Sequence, residues 1–325
     1  MTVQAFWKAT KVENAQPPYD TIQLKVFYPA SAPDTQQTFS SYPADQAKAP
    51  FPVVILFSGV NCNLAMYEWL ALKLTARGLV VILFNWLAEN IPGNISLTPG
   101  VDLAALSPDV YGTVPTASAL PSLLAELEQL NTFGILAGLL DLQKIILGGH
   151  SGGGRVALES ANTKFFSQVA AAFSYGAHTA APIQIGYESS TILSLPNSVP
   201  MLLIGGTHDG VIARNSSIYG IDEWATAATP VVRTFREAIS REQGDSYLVV
   251  IEGANHFSIV DRLDSTLPAA ALDFPSSQPQ TQIRSIIAET VGLFIDLHVR
   301  QQLKASEQLE LLLEDNSLIA SFECK

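Results

Sequence analysis

The chain has 325 residues, of which 48% are hydrophobic and 15% charged, a composition typical of a folded globular protein. Its net charge of −12 creates a field that repels nucleic acid and anionic membrane surfaces. Residues 1–18 contain no basic stretch followed by an apolar one, and the sequence contains no run of about 18 apolar residues. We therefore expect a soluble, cytoplasmic protein without a nucleic-acid partner or a membrane span, while peripheral contact with a membrane stays open.

The predicted strands fall into two kinds. Residues 21–28, TIQLKVFY, alternate apolar and polar side chains, as in a half-buried antiparallel strand. The later apolar runs are continuous, which is typical of strands covered on both faces. These runs are residues 53–57, 79–84, 144–147, 169–173, 201–204 and 247–251.

Helical patterns lie between these runs. One apolar stripe at helical spacing extends from Met66 to Leu74 and stops before Gly78, and others cover residues 120–130 and 283–294. Strands that alternate with helices favour right-handed crossovers. We therefore predict an α/β fold with a mostly parallel central sheet and helices on both faces.

The domain organisation is simple, because no repeat or linker divides the chain; we expect one domain over residues 1–325. Three long segments leave the alternating pattern, namely residues 88–119, 180–199 and 264–281. Loops of this length are usually functional or mobile. Their many apolar residues are expected either to form a lid or wall over a site or to complete the core. The tail after residue 304 is expected to pack as a helix or to fray.

A run of glycines interrupted by one serine, GGHSGGG, occupies residues 148–154, between an apolar run and a helical pattern. Glycines permit a sharp turn and the close approach of neighbouring backbone. Residues 149–153 fit the G-x-S-x-G pattern of a turn that exposes a nucleophilic serine, so Ser151 is the predicted nucleophile. The alternative is a plain glycine-rich turn with a hydrogen-bonded hydroxyl. A phosphate loop is disfavoured because no Gly-Lys-Ser/Thr follows.

A nucleophilic serine needs a general base, and the base needs a carboxylate that orients it. Asp209 lies just beyond the apolar run 201–204, and His256 lies just beyond the run 247–251. Both positions follow the carboxyl ends of predicted parallel strands, where α/β sheets build their sites. The chain order Ser151, Asp209, His256 is the order expected with this type of turn, so we predict that these residues form a catalytic triad.

Other histidines and acids are weaker candidates. His150 is the variable residue of the turn and is expected to point away from the serine, His208 only neighbours the predicted acid, and His298 lies in the last long helical pattern. Asp245 precedes its strand, and Asp261 follows the predicted base. These side chains are not at the spacing of metal ligands, so we expect a reaction that needs no metal and no cofactor.

The reaction also requires donors for an oxyanion. The predicted donors are the backbone N–H groups of Gly152, which follows the nucleophile, and Val60, in the loop after the strand at 53–57. Further residues near these loops are expected to line the substrate site: Gly59, Asn61, Tyr175 and His178.

From about residue 20 to residue 300 the chain resembles the α/β hydrolase superfamily. The segments SGVNCNLAMYEWLALKLTARGLVVI and HDGVIARNSS are similar to the dienelactone hydrolase, cutinase and polyester hydrolase group. The segments GGHSGGGRVAL, IGGTHDGVIARN and ANHFSIVD resemble chlorophyllases, carboxylesterases that remove phytol from chlorophyll.

This resemblance implies an ester hydrolase with the triad Ser151, Asp209 and His256. Its leading substrate is a lipophilic ester, with chlorophyll cleaved to chlorophyllide and phytol as the specific candidate. Two positions depart from the patterns: chlorophyllases tend to have GHSRGG, with arginine where this chain has Gly152, and dienelactone hydrolases use a cysteine in place of Ser151. A short-chain esterase, a polyester hydrolase, an acyltransferase and a non-catalytic binding protein are the alternatives.

Overall fold

A ten-stranded sheet is the framework of the computed structural model, which describes residues 2–13, 15–31, 42–91 and 93–325. The strands are β1 (Thr2–Lys11), β2 (Thr21–Ala30), β3 (Phe51–Phe57), β4 (Val80–Ile91), β5 (Asn94–Leu97), β6 (Leu140–His150), β7 (Val169–Tyr175), β8 (Met201–Gly206), β9 (Tyr247–Ile251) and β10 (Ile319–Cys324). Their order in the sheet is β1-β2-β4-β3-β6-β7-β8-β9-β10, and β5 pairs with β4 beside this path.

The centre of the sheet is parallel and its margins are antiparallel. Strands β4, β3, β6, β7, β8 and β9 pair in parallel, whereas β1, β2, β5 and β10 pair antiparallel to their neighbours. All six continuous apolar runs are parallel strands, and the alternating segment at 21–28 is the antiparallel β2. The predicted α/β class and mostly parallel sheet are confirmed, although β1, β5 and β10 were not predicted.

Helices cover both faces of the sheet. They are α1 (Glu68–Ala76), α2 (Leu120–Thr132), α3 (Gly152–Glu159), α4 (Gly210–Arg214), α5 (Thr229–Arg233), α6 (Gln280–His298) and α7 (Lys304–Asp315). Successive side chains of a strand point to opposite faces. Val53 and Ile55 of β3 therefore belong to the apolar core that includes residues of α2, α3 and α5, while Val54 and Leu56 belong to the core that includes residues of α1, α6 and α7. Within the described residues, no helix combines the length and the apolar character needed to span a bilayer.

The predicted excursions are partly structured. Segment 88–119, of which residue 92 lies outside the described part, contains the β4–β5 hairpin; it buries Leu106 but leaves half of Ile95 exposed. Short 3-10 turns interrupt the other two excursions at Ile183–Ile185 and Pro268–Ala271. The tail contains the expected helix, α7, and also a strand, β10, which follows it and extends the sheet by pairing with β9.

Candidate active site

The turn from β6 into α3 places Ser151 in an unusual backbone conformation, with φ 55° and ψ −126°. Positive φ is rare for a residue with a side chain and costs about 1–3 kcal/mol unless the surroundings enforce it. Here the Ser151 N–H donates to the Tyr175 carbonyl (2.9 Å), and its own carbonyl accepts from the Arg155 N–H (3.0 Å). The fixed backbone directs the serine side chain away from the sheet and into a cavity.

The neighbouring glycines are required because other chain segments come too close for a Cβ. A Cβ on Gly149 would overlap the backbone of Gly153, and one on Gly153 would overlap the carbonyl oxygens at the end of β3. A Cβ on Gly148 would enter the ring of Phe173. The glycine run therefore lets the turn pack against β3 and β7.

The predicted base and acid meet in a buried hydrogen bond. His256 begins a 3-10 turn after β9, and its Nδ1 lies 2.8 Å from Oδ2 of Asp209, which follows β8. The other carboxylate oxygen of Asp209 accepts the Ile212 N–H (2.9 Å) and so caps α4. His256 is 3% exposed and Asp209 is 1% exposed, so water competes little for this bond.

The pKa of His256 is raised above its ordinary value. Burial alone lowers the pKa of an imidazole, but the charge and hydrogen bond of Asp209, aided by the charge of Asp273, outweigh it. The same interactions orient the ring, because Nδ1–H donates to Asp209 and leaves Nε2 as the acceptor of a proton.

Asp273, in the third excursion, is a part of the site that sequence reasoning missed. Its carboxylate accepts the N–H groups of Gly210 (2.9 Å), His256 (3.2 Å) and Phe257 (3.2 Å). Burial and the nearby charge of Asp209 raise its pKa, although the N–H groups of His256 and Gly210 and the charge of His256 oppose the shift. One carboxylate thus joins the loop of Asp209 to the loop of His256, and no local sequence pattern indicates it.

Ser151 and His256 line the same cavity, which has a volume of about 460 Å³. The hydrogen bond between them is not formed, since neither Ser151 Oγ nor His256 Nε2 has a partner among the described residues. Catalytic hydrogen bonds of this kind are often long and tighten when substrate binds. Two of the three predicted residues are therefore bonded to each other, and the third, Ser151, shares a cavity with His256.

Both predicted oxyanion donors also line this cavity. Among the described residues, the Val60 and Gly152 N–H groups have no hydrogen-bond acceptor. The two residues adjoin, because a Cβ on Gly152 would lie 3.2 Å from Val60 Cγ2. Free N–H donors beside a serine are the arrangement that stabilises an oxyanion.

Of the four residues predicted to line the substrate site, only His178 does so. Gly59 is buried and donates its N–H to the Tyr67 hydroxyl (3.0 Å), and a Cβ there would lie 2.9 Å from the His150 ring. Asn61, with φ 61°, points outward and donates its N–H to the Leu97 carbonyl. Gly59 thus lies in the packed layer behind the cavity, whereas Asn61 lies at the exposed surface of the loop, and neither residue lines the cavity.

Tyr175 also lies behind the cavity. It is buried, and its hydroxyl donates to the Asn255 carbonyl at 2.6 Å, next to the predicted base. His178, by contrast, presents a neutral ring to the cavity: burial, Arg155 and His256 together lower its pKa to about 3. Its Nδ1 accepts the Ala180 N–H (3.2 Å), so Nε2 carries the proton.

His150 points away from the serine, as expected, but its ring also makes two hydrogen bonds that the sequence did not predict. Its ring lies beneath His256, with Nδ1 2.8 Å from the Tyr67 hydroxyl and Nε2 2.9 Å from the His256 carbonyl. A carbonyl can only accept, so Nε2–H donates to it; Nδ1 of the neutral ring is then the acceptor, and the Tyr67 hydroxyl donates to it. Burial lowers the pKa of His150 far below its ordinary value. This neutral chain links the loop of Val60 to the loop of His256.

The weaker candidates are engaged elsewhere. Asp245 pairs with Arg241 at 2.7 Å, and Asp261 pairs with Arg284 at 3.1 Å. His298 contacts the Tyr247 hydroxyl at 3.4 Å. None of these three side chains lines the cavity of Ser151.

Comparison with protein families and with curated proteins adds no relative. No protein-family model matches the chain, and no curated protein matches it significantly. The geometry of the site and the sequence motifs are therefore the grounds for a functional assignment.

Proposed function

We propose that the chain is a serine carboxylic-ester hydrolase with an α/β hydrolase fold. One observation carries the proposal: a serine at positive φ, on a strand-to-helix turn, opens into the same cavity as a histidine bonded to a buried aspartate. A strained serine turn with these partners is the arrangement that activates a hydroxyl as a nucleophile.

The proposed reaction has two steps. His256 takes the Ser151 proton at Nε2 as Oγ attacks the ester carbonyl, and the Val60 and Gly152 N–H groups bind the oxyanion. When the tetrahedral intermediate collapses, the carbon–oxygen bond to the alcohol breaks, and the alcohol leaves with the proton from His256. His256 then takes a proton from water as the water attacks the acyl-enzyme. When the acid leaves, His256 gives this proton to Ser151 Oγ. Asp209 holds the imidazolium throughout.

The proposed substrate is a lipophilic ester. Apolar side chains form much of the cavity wall around Ser151: Val60, Ala177, Val211, Ile212 and Ile218. Such a wall favours an apolar group on the acyl or alcohol side. The phytyl ester of chlorophyll is the specific candidate because of the motif resemblance, with short-chain esters and polyesters as alternatives. A cytoplasmic location belongs to the same proposal.

Hydrolysis assays with the wild type and the Ser151→Ala variant test this function. The substrates are chlorophyll, long-chain and short-chain nitrophenyl esters, and a polyester film. We expect the variant to lose roughly 10⁴-fold or more in kcat on every ester that the wild type cleaves. Chlorophyll turnover far above the rest would support the chlorophyllase-like activity, and a preference for acetyl or butyryl esters would reject it. Products formed with a competing alcohol would reveal an acyltransferase.

A further inference from the structure

A second cavity, of about 500 Å³, shares no lining residue with the cavity of Ser151. It lies between the first and second excursions and reaches the C-terminal end of α3. Its wall combines apolar and polar side chains, among them Val114, Thr116, Glu159, Phe165, Tyr187 and Ile192. Its size is within the range of small-molecule sites.

Three polar atoms of this wall are buried and have no hydrogen-bond partner among the described residues: Glu159 Oε2, Tyr187 Oη and Thr116 Oγ1. The Tyr111 hydroxyl lines the same cavity and its pKa is raised by burial and by the neighbouring Glu159, but it donates to the Ser194 carbonyl at 2.9 Å. The side chain of Glu159 is only 2% exposed. Buried polar groups without partners are few in native proteins, and each one costs stability. Three such groups around one cavity therefore point to a ligand that supplies the missing partners.

The charge of Glu159 is already balanced. Its Oε1 accepts from Arg155 Nε at 2.7 Å, and Arg155 also donates to the Ala180 carbonyl at 3.0 Å. Because the Arg155–Glu159 pair is neutral overall, a cationic or an anionic ligand would each add an uncompensated charge beside it. The free Oε2 requires a neutral donor, whereas the Tyr187 and Thr116 hydroxyls can each donate a proton.

We propose that this cavity binds a neutral molecule that carries a hydroxyl group on an apolar body. A ligand hydroxyl donates to Glu159 Oε2 and accepts from Tyr187 or Thr116, so a single group supplies both the missing donor and a missing acceptor. The apolar body packs against Val114 and Phe165. This site is independent of the reaction proposed at Ser151.

Three small probes test the chemistry of the site: benzyl alcohol, its methyl ether, which keeps the acceptor but lacks the donor, and benzylamine, which is cationic. Binding to the full chain is measured by calorimetry, and crystals soaked in benzyl alcohol locate the probe. We expect the alcohol to bind about tenfold more tightly than the ether, and to lie in this cavity with its hydroxyl at Glu159.

A variant that combines Tyr187→Phe with Thr116→Val sharpens the test, because it removes two unpartnered hydroxyls without disturbing the Arg155–Glu159 pair. We expect it to retain or exceed the wild-type melting temperature and to bind the alcohol about tenfold more weakly. If this variant does not fold, the wild-type comparison of alcohol with ether decides. Equal binding of alcohol and ether, tighter binding of benzylamine, or alcohol found only beside Ser151 would overturn the proposal.

Discussion

The turn that carries Ser151 and the loop that carries His256 are held in place by different means. The turn is fixed by close backbone packing, since glycines at 149 and 153 leave no space for a side chain. The loop is fixed by side chains from distant parts of the chain, with Asp209 on the ring and Asp273 on the backbone N–H groups. The position of Ser151 therefore depends on the absence of side chains at 149 and 153, whereas the position of His256 depends on carboxylates from other loops.

This difference predicts how the two regions respond to substitution. Added atoms should damage the turn, because the packed backbone has no room to yield. Removed charges should damage the loop, because its geometry and the pKa of His256 depend on carboxylates.

The largest effect is expected at Asp209, the proposed acid of the triad. Asp209→Asn should lower kcat by roughly 10⁴-fold, because an amide cannot stabilise the imidazolium or hold the required tautomer. Asp245→Asn, which removes a carboxylate paired with Arg241, serves as the control and should retain activity. Steady-state ester hydrolysis measures both variants. An Asp209→Asn enzyme within tenfold of the wild type would reject the assigned role.

The turn should be sensitive to one methyl group at a particular position. In Gly153→Ala the Cβ would overlap the carbonyl oxygens of Phe57 and Ser58, so we expect a loss of about 3 kcal/mol in the free energy of unfolding. In the matched Gly152→Ala the Cβ meets only the Val60 side chain at 3.2 Å and Pro99 at 4.0 Å, so stability should change little. Urea unfolding separates the two variants. Equal stabilities would show that close packing does not hold the turn.

A smaller effect is expected at Asp273, a positioning residue. Asp273→Asn keeps one acceptor oxygen but removes the charge that helps to raise the pKa of His256. Neutral His256 is the proposed base, so activity falls as pH drops through its pKa. Lowering that pKa moves the acid limb of kcat/KM to lower pH, and we expect kcat to fall about tenfold through weaker positioning.

Asp261→Asn is the control for Asp273, because its carboxylate is partly exposed and paired with Arg284. Its pH profile should match that of the wild type. If Asp273→Asn lowers activity without moving the acid limb, its charge does not act on His256, and the electrostatic part of this account fails.

The parts of the fold that the sequence predicts are those that short stretches of sequence define. The central strands are continuous apolar runs, and the glycine turn is local, so both are visible in short windows of sequence. Strands β1 and β10 were missed because their side chains are mostly exposed or half-buried. Such strands have no apolar pattern, and only pairing with β2 and β9 defines them.

The supporting residues of the site could not be predicted for a related reason. Asp273 reaches the site because the third excursion folds back onto Gly210. His150 joins the hydrogen-bonded chain because Tyr67, 83 residues away, reaches its ring. These contacts follow from tertiary structure and not from spacing. In contrast, Asp209 and His256 could be identified because each follows its own buried strand.

A fluorophosphonate probe tests the central claim most directly, because it reacts covalently with serines that are activated as nucleophiles, with loss of fluoride. Peptide mass spectrometry of the labelled wild type should find the adduct on Ser151, and Ser151→Ala and His256→Ala should remain unlabelled under the same conditions. An unlabelled but folded wild type, or an adduct on another residue that persists in Ser151→Ala, would contradict the account.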